Sequence, residues 1–206
     1  MRRRLAADFP RNTDDRSNVA AGLSRLAYLL NRVGKSDEAD AAYVESLAIN
    51  KDLADEFPSV TAFRANLAAN HGDYAIFLAG AGRPEKAKAS FHAALALNRQ
   101  IADDYSSVTR NRSRLAASLT NLGVTYTITN RKKEAEAAYR EAIKIKKRLA
   151  VEVPESKQYQ SDLGRLFCNL AIILDGDAKE AAFREGISHK LAEVIRSGSP
   201  TAPWRS

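Results

Sequence analysis

Cysteine occurs once in 206 residues, at Cys168. No internal disulfide can form, which fits a reducing compartment and predicts a cytoplasmic location. Prolines number 6, glycines 10, and aromatic residues make up 7% of the chain. So little turn and aromatic chemistry argues against a β-sandwich. Long apolar runs are missing too. Nothing approaches the roughly 20 apolar residues of a membrane-spanning helix, so no membrane association is expected. The start, Arg2-Arg3-Arg4-Leu5-Ala6-Ala7-Asp8, turns acidic before any apolar core and does not read as a signal peptide. What the chain does hold is a 45% apolar share and 36 alanines. That is helix-forming composition, and it is too apolar for disorder.

One landmark recurs. Leu5-Ala-Ala-Asp-Phe9-Pro10 is followed by Leu53-Ala-Asp-Glu-Phe57-Pro58, Ile101-Ala-Asp-Asp-Tyr105-Ser106 and Leu149-Ala-Val-Glu-Val153-Pro154, a step of 48 each time. Other columns keep the same step. Ala20, Ala68, Ala116 and Gly164 align, as do Leu26, Tyr74, Leu122 and Leu170, and Tyr43, Phe91 and Tyr139. Repetition at this length marks an array of supersecondary units. The fourth unit loses about four residues at its internal turn, which puts Phe183 in the column of Tyr139.

Each unit reads as two helices. In the third, Leu115, Leu119, Leu122 and Tyr126 recur at helical spacing, and after Asn130 a second stripe begins at Ala135. Gly34, Gly82 and Asn130 suit a left-handed stop between the two helices. Ser59, Ser107 and Ser156 are the predicted N-caps of the following units. Helices are expected near 15–33, 37–56, 60–80, 84–105, 108–129, 132–152, 157–174 and 178–195. The organisation that follows is a remnant of a preceding unit at 1–12, repeats at 13–58, 59–106, 107–155 and 156–196, and a tail at 197–206. Leu5–Pro10 looks like the end of a helix whose beginning is absent. The chain is therefore expected to be a piece of a longer protein, with an apolar N-terminal end open to self-association.

These columns resemble the tetratricopeptide repeat. The likeness lies in Gly82-Arg-Pro-Glu85-Lys-Ala87-Lys-Ala-Ser-Phe91, in Lys133-Glu134-Ala135-Glu-Ala-Ala-Tyr139, and in Asn121-Leu122-Gly123-Val124-Thr125-Tyr126. Small residues Ala27, Ala75, Gly123 and Ala171 sit where paired helices approach closely. The common repeat is about 34 residues, so these units are longer by about two turns per helix. In that length they are similar to the repeats of kinesin light chains and of the C-terminal regions of large bacterial serine/threonine kinases. The resemblance implies an all-α, right-handed superhelical solenoid of about four helix-turn-helix units. It also implies a concave groove, lined by the first helices, that holds peptides or protein segments.

The resemblance also implies where the groove residues lie. Asn121 and Asn169 share a column from which an amide, both donor and acceptor, can bond the main chain of an extended ligand. Arg25 and Asp73 hold that column in the other units. Tyr28, Asn31, Val124, Thr127 and Ile172 are expected to flank the groove. The sequence predicts a protein-interaction scaffold without catalytic activity, as part of a larger bacterial signalling protein. Alternatives are an independent adaptor and a helical regulator with a small-molecule site. Cofactors and metals are not expected, since His71, His92 and His189 are scattered and no acidic cluster joins them.

The net charge of +7 is uneven. The third unit is strongly cationic, through a basic patch at Arg131, Lys132, Lys133, Lys144, Lys146, Lys147 and Arg148. A solvated helix face is the simplest reading of that patch, and an acidic protein partner the functional one. Nucleic acid is not expected, because no aromatics are interleaved to stack bases.

Overall fold

The computed structural model describes residues 12–197, which fold as eight α-helices in two compact units. The Leu5–Pro10 joint and residues 198–206 of the predicted tail lie outside the described residues. The first unit holds α1 (Thr13–Arg32), α2 (Ser36–Glu56), α3 (Thr61–Gly80) and α4 (Pro84–Asp104). The second holds α5 (Thr109–Ile128), α6 (Lys132–Glu152), α7 (Lys157–Ile173) and α8 (Gly176–Ser197). Thr13, Thr61, Thr109 and Lys157 open their helices 48 residues apart. Within each unit, sequence neighbours pack as antiparallel hairpins, and the second helix of one hairpin packs on the first helix of the next.

The repeated columns are the core. Leu53, Ile101 and Leu149, the landmark position, are fully buried. Burying each such side chain stabilises the fold by about 1.5–3 kcal/mol. Ala39, Ala87 and Ala135 are buried where the helices of a hairpin meet. Alanine is needed there because a larger side chain would separate the helices. At Gly123 even a methyl group is too much. A Cβ there would stand 2.5 Å from Cε1 of Tyr139, a residue only 1% exposed. Phe183 departs from its column: it is 37% exposed, where Tyr43 and Phe91 are 4%.

The turns follow from backbone conformation. Gly34, Gly82 and Asn130 all have positive φ, at 81°, 71° and 57°. The next residue then bonds back five positions: Lys35 N–H to Leu30 O, Arg83 N–H to Leu78 O, and Arg131 N–H to Tyr126 O. These bonds satisfy carbonyls that each helix end leaves open. Pro84 occupies the first turn of α4, where its missing N–H has no helical partner to lose.

Two expected caps are corrected. Val60 and Val108, not Ser59 and Ser107, hold the N-cap positions, and neither serine caps its helix. The Val60 N–H is turned back onto Phe57 O, while Phe63 packs its ring 5.8 Å from that of Phe57. The joint is thus held by backbone bonds and an apolar contact. Ser156 does occupy the N-cap of α7, without a side-chain bond. A true side-chain cap stands at Asn12, whose Oδ1 accepts from the N–H of Asp14 and Asp15.

One ion pair recurs with the period. Arg16 donates to Glu56, Arg64 to Asp104 and Arg112 to Glu152, each at 2.5–2.8 Å and each across 40 residues. The pair joins the first turn of each first helix to the last turn of its partner. Hydrogen bonding to the guanidinium holds the Glu56 and Glu152 carboxyls below the ordinary range. Among the described residues, no helix is long and apolar enough to cross a membrane.

Candidate functional site

The first helices of each unit line clefts, and the two units line them differently. In the first unit, α1 and α3 enclose about 740 Å³. Tyr28 and Ile76 form its mouth and are more than half exposed, at 56% and 57%. Its floor is aromatic. Tyr43 and Phe77 lie 5.3 Å apart, with Tyr74 5.6 Å from Tyr43. The floor is fixed at its edge, where the Tyr74 hydroxyl and Arg83 both donate to Asp40. Arg25 and Asp73 also line this cleft and form no ion pair with each other. The surrounding apolar walls raise the Asp73 carboxyl above its usual range, although the residue keeps contact with solvent. Burial likewise pushes the Tyr43 phenol up. Asn31 completes the lining.

In the second unit, α5 and α7 enclose a smaller cleft of about 190 Å³. Asn121 and Val124 enter it from α5, and Asp162, Arg165 and Asn169 from α7. Lys146 reaches it from α6. The two asparagines therefore share one cleft. Beside it lies a second opening of about 410 Å³, lined by Arg110, Ser113, Arg114 and Tyr159, with Ala117 common to both.

Between these openings sits a buried ion pair. Lys146 Nζ donates to Asp162 Oδ2 at 2.6 Å, with the two side chains only 5% and 10% exposed. Lys146 also donates to Ser113 Oγ at 2.9 Å and stands 5.0 Å over the Tyr159 ring. The other carboxylate oxygen accepts from Gln158 and Arg165, both at 2.9 Å. Both carboxylate oxygens of Asp162 thus face donors, as a charge withdrawn from water requires.

The expected site residues divide on this geometry. Tyr28 and Asn31 line the first cleft, and Asn121, Val124 and Asn169 the second. Thr127 lines neither, because its hydroxyl bonds Gly123 O and the Tyr139 hydroxyl inside the hairpin. Ile172 is 62% exposed and also lies outside both clefts.

The basic patch is corrected at one position. Lys146 is a buried, ion-paired residue and no part of a solvated face. Arg131 is tied to Glu134 and lies 4.6 Å over the Tyr126 ring. Lys132, Lys133, Lys144, Lys147 and Arg148 are exposed, and Lys147 stands 5.1 Å over the Phe167 ring. The burial of Lys146 was readable in the repeat: Asn50 and Asn98 share its column and are buried too. Arg110 and Arg114 belong to the cationic excess of the third unit, but nothing marked them or Arg165 as cleft residues, since their columns elsewhere hold alanine, asparagine, glutamine or acid.

The remaining polar groups are structural. Asn70, Ser24 and Ser46 form a buried network in the first unit, anchored on Ala20 O. His189 stacks on Phe167 and meets Gln160 at 2.8 Å. Cys168 packs near Gly186, where α7 and α8 come close. Among the described residues, no group of three metal-ligating side chains converges.

Residues 66–148 match the family model described as tetratricopeptide repeat. The crystal structure of BtubC (BKLC) from P. vanneervenii is similar over 100% of this chain and 90% of that one, at 18% identity and a TM-score of 0.48. No curated protein matches the sequence.

Proposed function

Given that this chain is a tetratricopeptide-repeat protein, we propose that it is an interaction scaffold holding an extended segment of a partner protein against its first helices. Repeats of this family generally mediate protein–protein contact. The observation that carries the groove reading is the shared cleft of Asn121 and Asn169. They stand one period apart, and each presents a donor and an acceptor. A peptide backbone offers the same pair at every residue, so two such amides can hold an extended chain without reading its side chains. In the first unit, the exposed Tyr28 and Ile76 over an aromatic floor offer a place for an apolar side chain of a ligand. The scaffold serves as a regulatory part of a larger bacterial signalling protein, and the genomic sequence upstream of Met1 tests that context.

The groove is tested by placing a photo-crosslinking residue at Tyr28 or Val124, and as controls at exposed Lys86 or Ala137. Crosslinks to a partner from the cleft positions, reduced in an Asn121→Ala/Asn169→Ala variant, are the expected result. Equal crosslinking from the control positions would sink the groove assignment. The volume of the first cleft also lies in the range of about 300–1,000 Å³ typical of small-molecule sites. A thermal-shift screen that raises stability in wild type but not in Ile76→Asp would favour that second reading.

A further inference from the structure

The arginines on the first turns of α5 fall into two kinds. Arg112 is held by Glu152 through two bonds. Arg110 and Arg114, one turn apart, are exposed and form no ion pair among the described residues. Both face the 410 Å³ opening, whose wall includes Ser113 and Tyr159. Those two residues are the ones Lys146 touches from behind. Arg165, its side chain 64% exposed, stands in the adjoining cleft. Lys146 and Arg165 already bond the Asp162 carboxylate, and Arg110 and Arg114 line the opening beside it.

This charge is local to one cleft of one unit. One period earlier, the positions of Arg110, Arg114 and Arg165 hold Ala62, Asn66 and Ala117. The planar fork of arginine matches a carboxylate with two parallel bonds. Only one aromatic, Tyr159, lines the opening, which leaves no platform for stacking bases.

We infer that the α5–α7 cleft of the second unit binds the acidic side chains of a protein segment, with Arg110, Arg114 and Arg165 bonding its Asp or Glu carboxylates. This rests on the groove reading above and adds the partner's chemistry. It also moves the recognition charge away from the exposed lysines of α6 and onto the wall beside Asn121 and Asn169.

The experiment is fluorescence anisotropy on the full chain with a labelled peptide rich in glutamate and leucine. A peptide with glutamine in place of glutamate is the control. The acidic peptide should bind and the control should not, with affinity falling as salt rises. Reversing the cleft charge with Arg110→Glu/Arg114→Glu should weaken binding at least about tenfold. Lys132→Glu/Lys133→Glu makes the same change of net charge on α6, outside the cleft, and should change binding less than about twofold. Far-UV circular dichroism and melting of both variants should match wild type, because none of these four side chains holds the fold. Equal weakening by both variants would reduce the effect to net charge and overturn the inference. So would failure of wild type to bind the acidic peptide, or tighter binding of an oligothymidylate through the same arginines. If partner crosslinks from Val124 persist while the acidic peptide fails, only this inference falls. If those crosslinks fail as well, the groove reading falls with it.

Discussion

Asp162→Ala should be the most damaging polar substitution in the second unit. It removes the carboxylate that accepts from Lys146 at 2.6 Å and leaves an ammonium 5% exposed without a counter-charge. Breaking a buried ion pair from one side costs about 3–5 kcal/mol. Two contacts soften the loss here. Ser113 Oγ remains at 2.9 Å and the Tyr159 ring at 5.0 Å, the latter worth about 1–2 kcal/mol to a desolvated cation. The expected loss is therefore about 3 kcal/mol, near the lower end of that range. Lys146→Ala should cost less, about 1–3 kcal/mol, because Asp162 keeps Gln158 and the solvent-exposed Arg165. Replacing both charges, as in Lys146→Met/Asp162→Leu, should come within about 1 kcal/mol of wild type or exceed it.

Urea unfolding followed by circular dichroism reads these differences. With a slope of about 1–3 kcal/mol per molar, a 3 kcal/mol loss lowers the midpoint by about 1 M or more. Amide exchange should place the loss in α5–α7, where Asp162, Lys146 and all their partners lie. High salt should not reproduce it, because a dry pair is little screened. A cost below about 1 kcal/mol for Asp162→Ala would refute this account of the pair, and so would a double variant as damaged as the single one.

Three smaller outcomes follow from the same geometry. Gly123→Ala gains about 1 kcal/mol of helix propensity but overpacks against Tyr139 at a cost of about 1–3 kcal/mol. A lower melting temperature is expected, and a rise would mean that the ring yields freely. Asn130→Gly should stabilise by up to about 1 kcal/mol, because φ is 57° there, whereas Gly82→Ala at 71° should destabilise by a similar amount. Urea midpoints of the two variants should move in opposite directions. Finally, burial lowers the His71 pKa below its ordinary 6.5. The unfolded chain then takes up a proton at higher pH than the folded one, so the stability His71 contributes is full above about pH 6.5 and declines below it. His71→Leu, copying Leu23 and Leu119 of its column, should flatten urea midpoints measured between about pH 7 and 5, apart from the share of His189, whose pKa is lowered in the same direction.

Periodicity carried most of the fold. A step of 48 placed all eight helices to within two residues, and the left-handed turns at Gly34, Gly82 and Asn130 were readable because few residues accept positive φ. The caps were misread because serine is a good capping residue in isolation. Here a turned-back backbone N–H and the Phe57–Phe63 contact settle the joint instead. Lys146 was misread because Lys144-Ile-Lys-Lys-Arg148 reads as a cationic run, yet position 146 lies three residues from both Ile143 and Leu149, on the buried stripe. The cationic cleft was not legible, because it joins α5 to α7 and depends on which arginines the acids of the same unit have already engaged.

The shortened fourth hairpin gives the second unit a step. α7 ends after 17 residues where α5 runs for 20, a difference of about 4.5 Å along the axis. The residue one period after Thr127 is Asp175, which falls beyond the end of α7, after Leu174 has turned extended. The two helices therefore stand side by side at Asn121 and Asn169, but only α5 continues to the level of Thr127. The wall has a tall side and a low side, so the two ends of anything lying across it meet different surroundings.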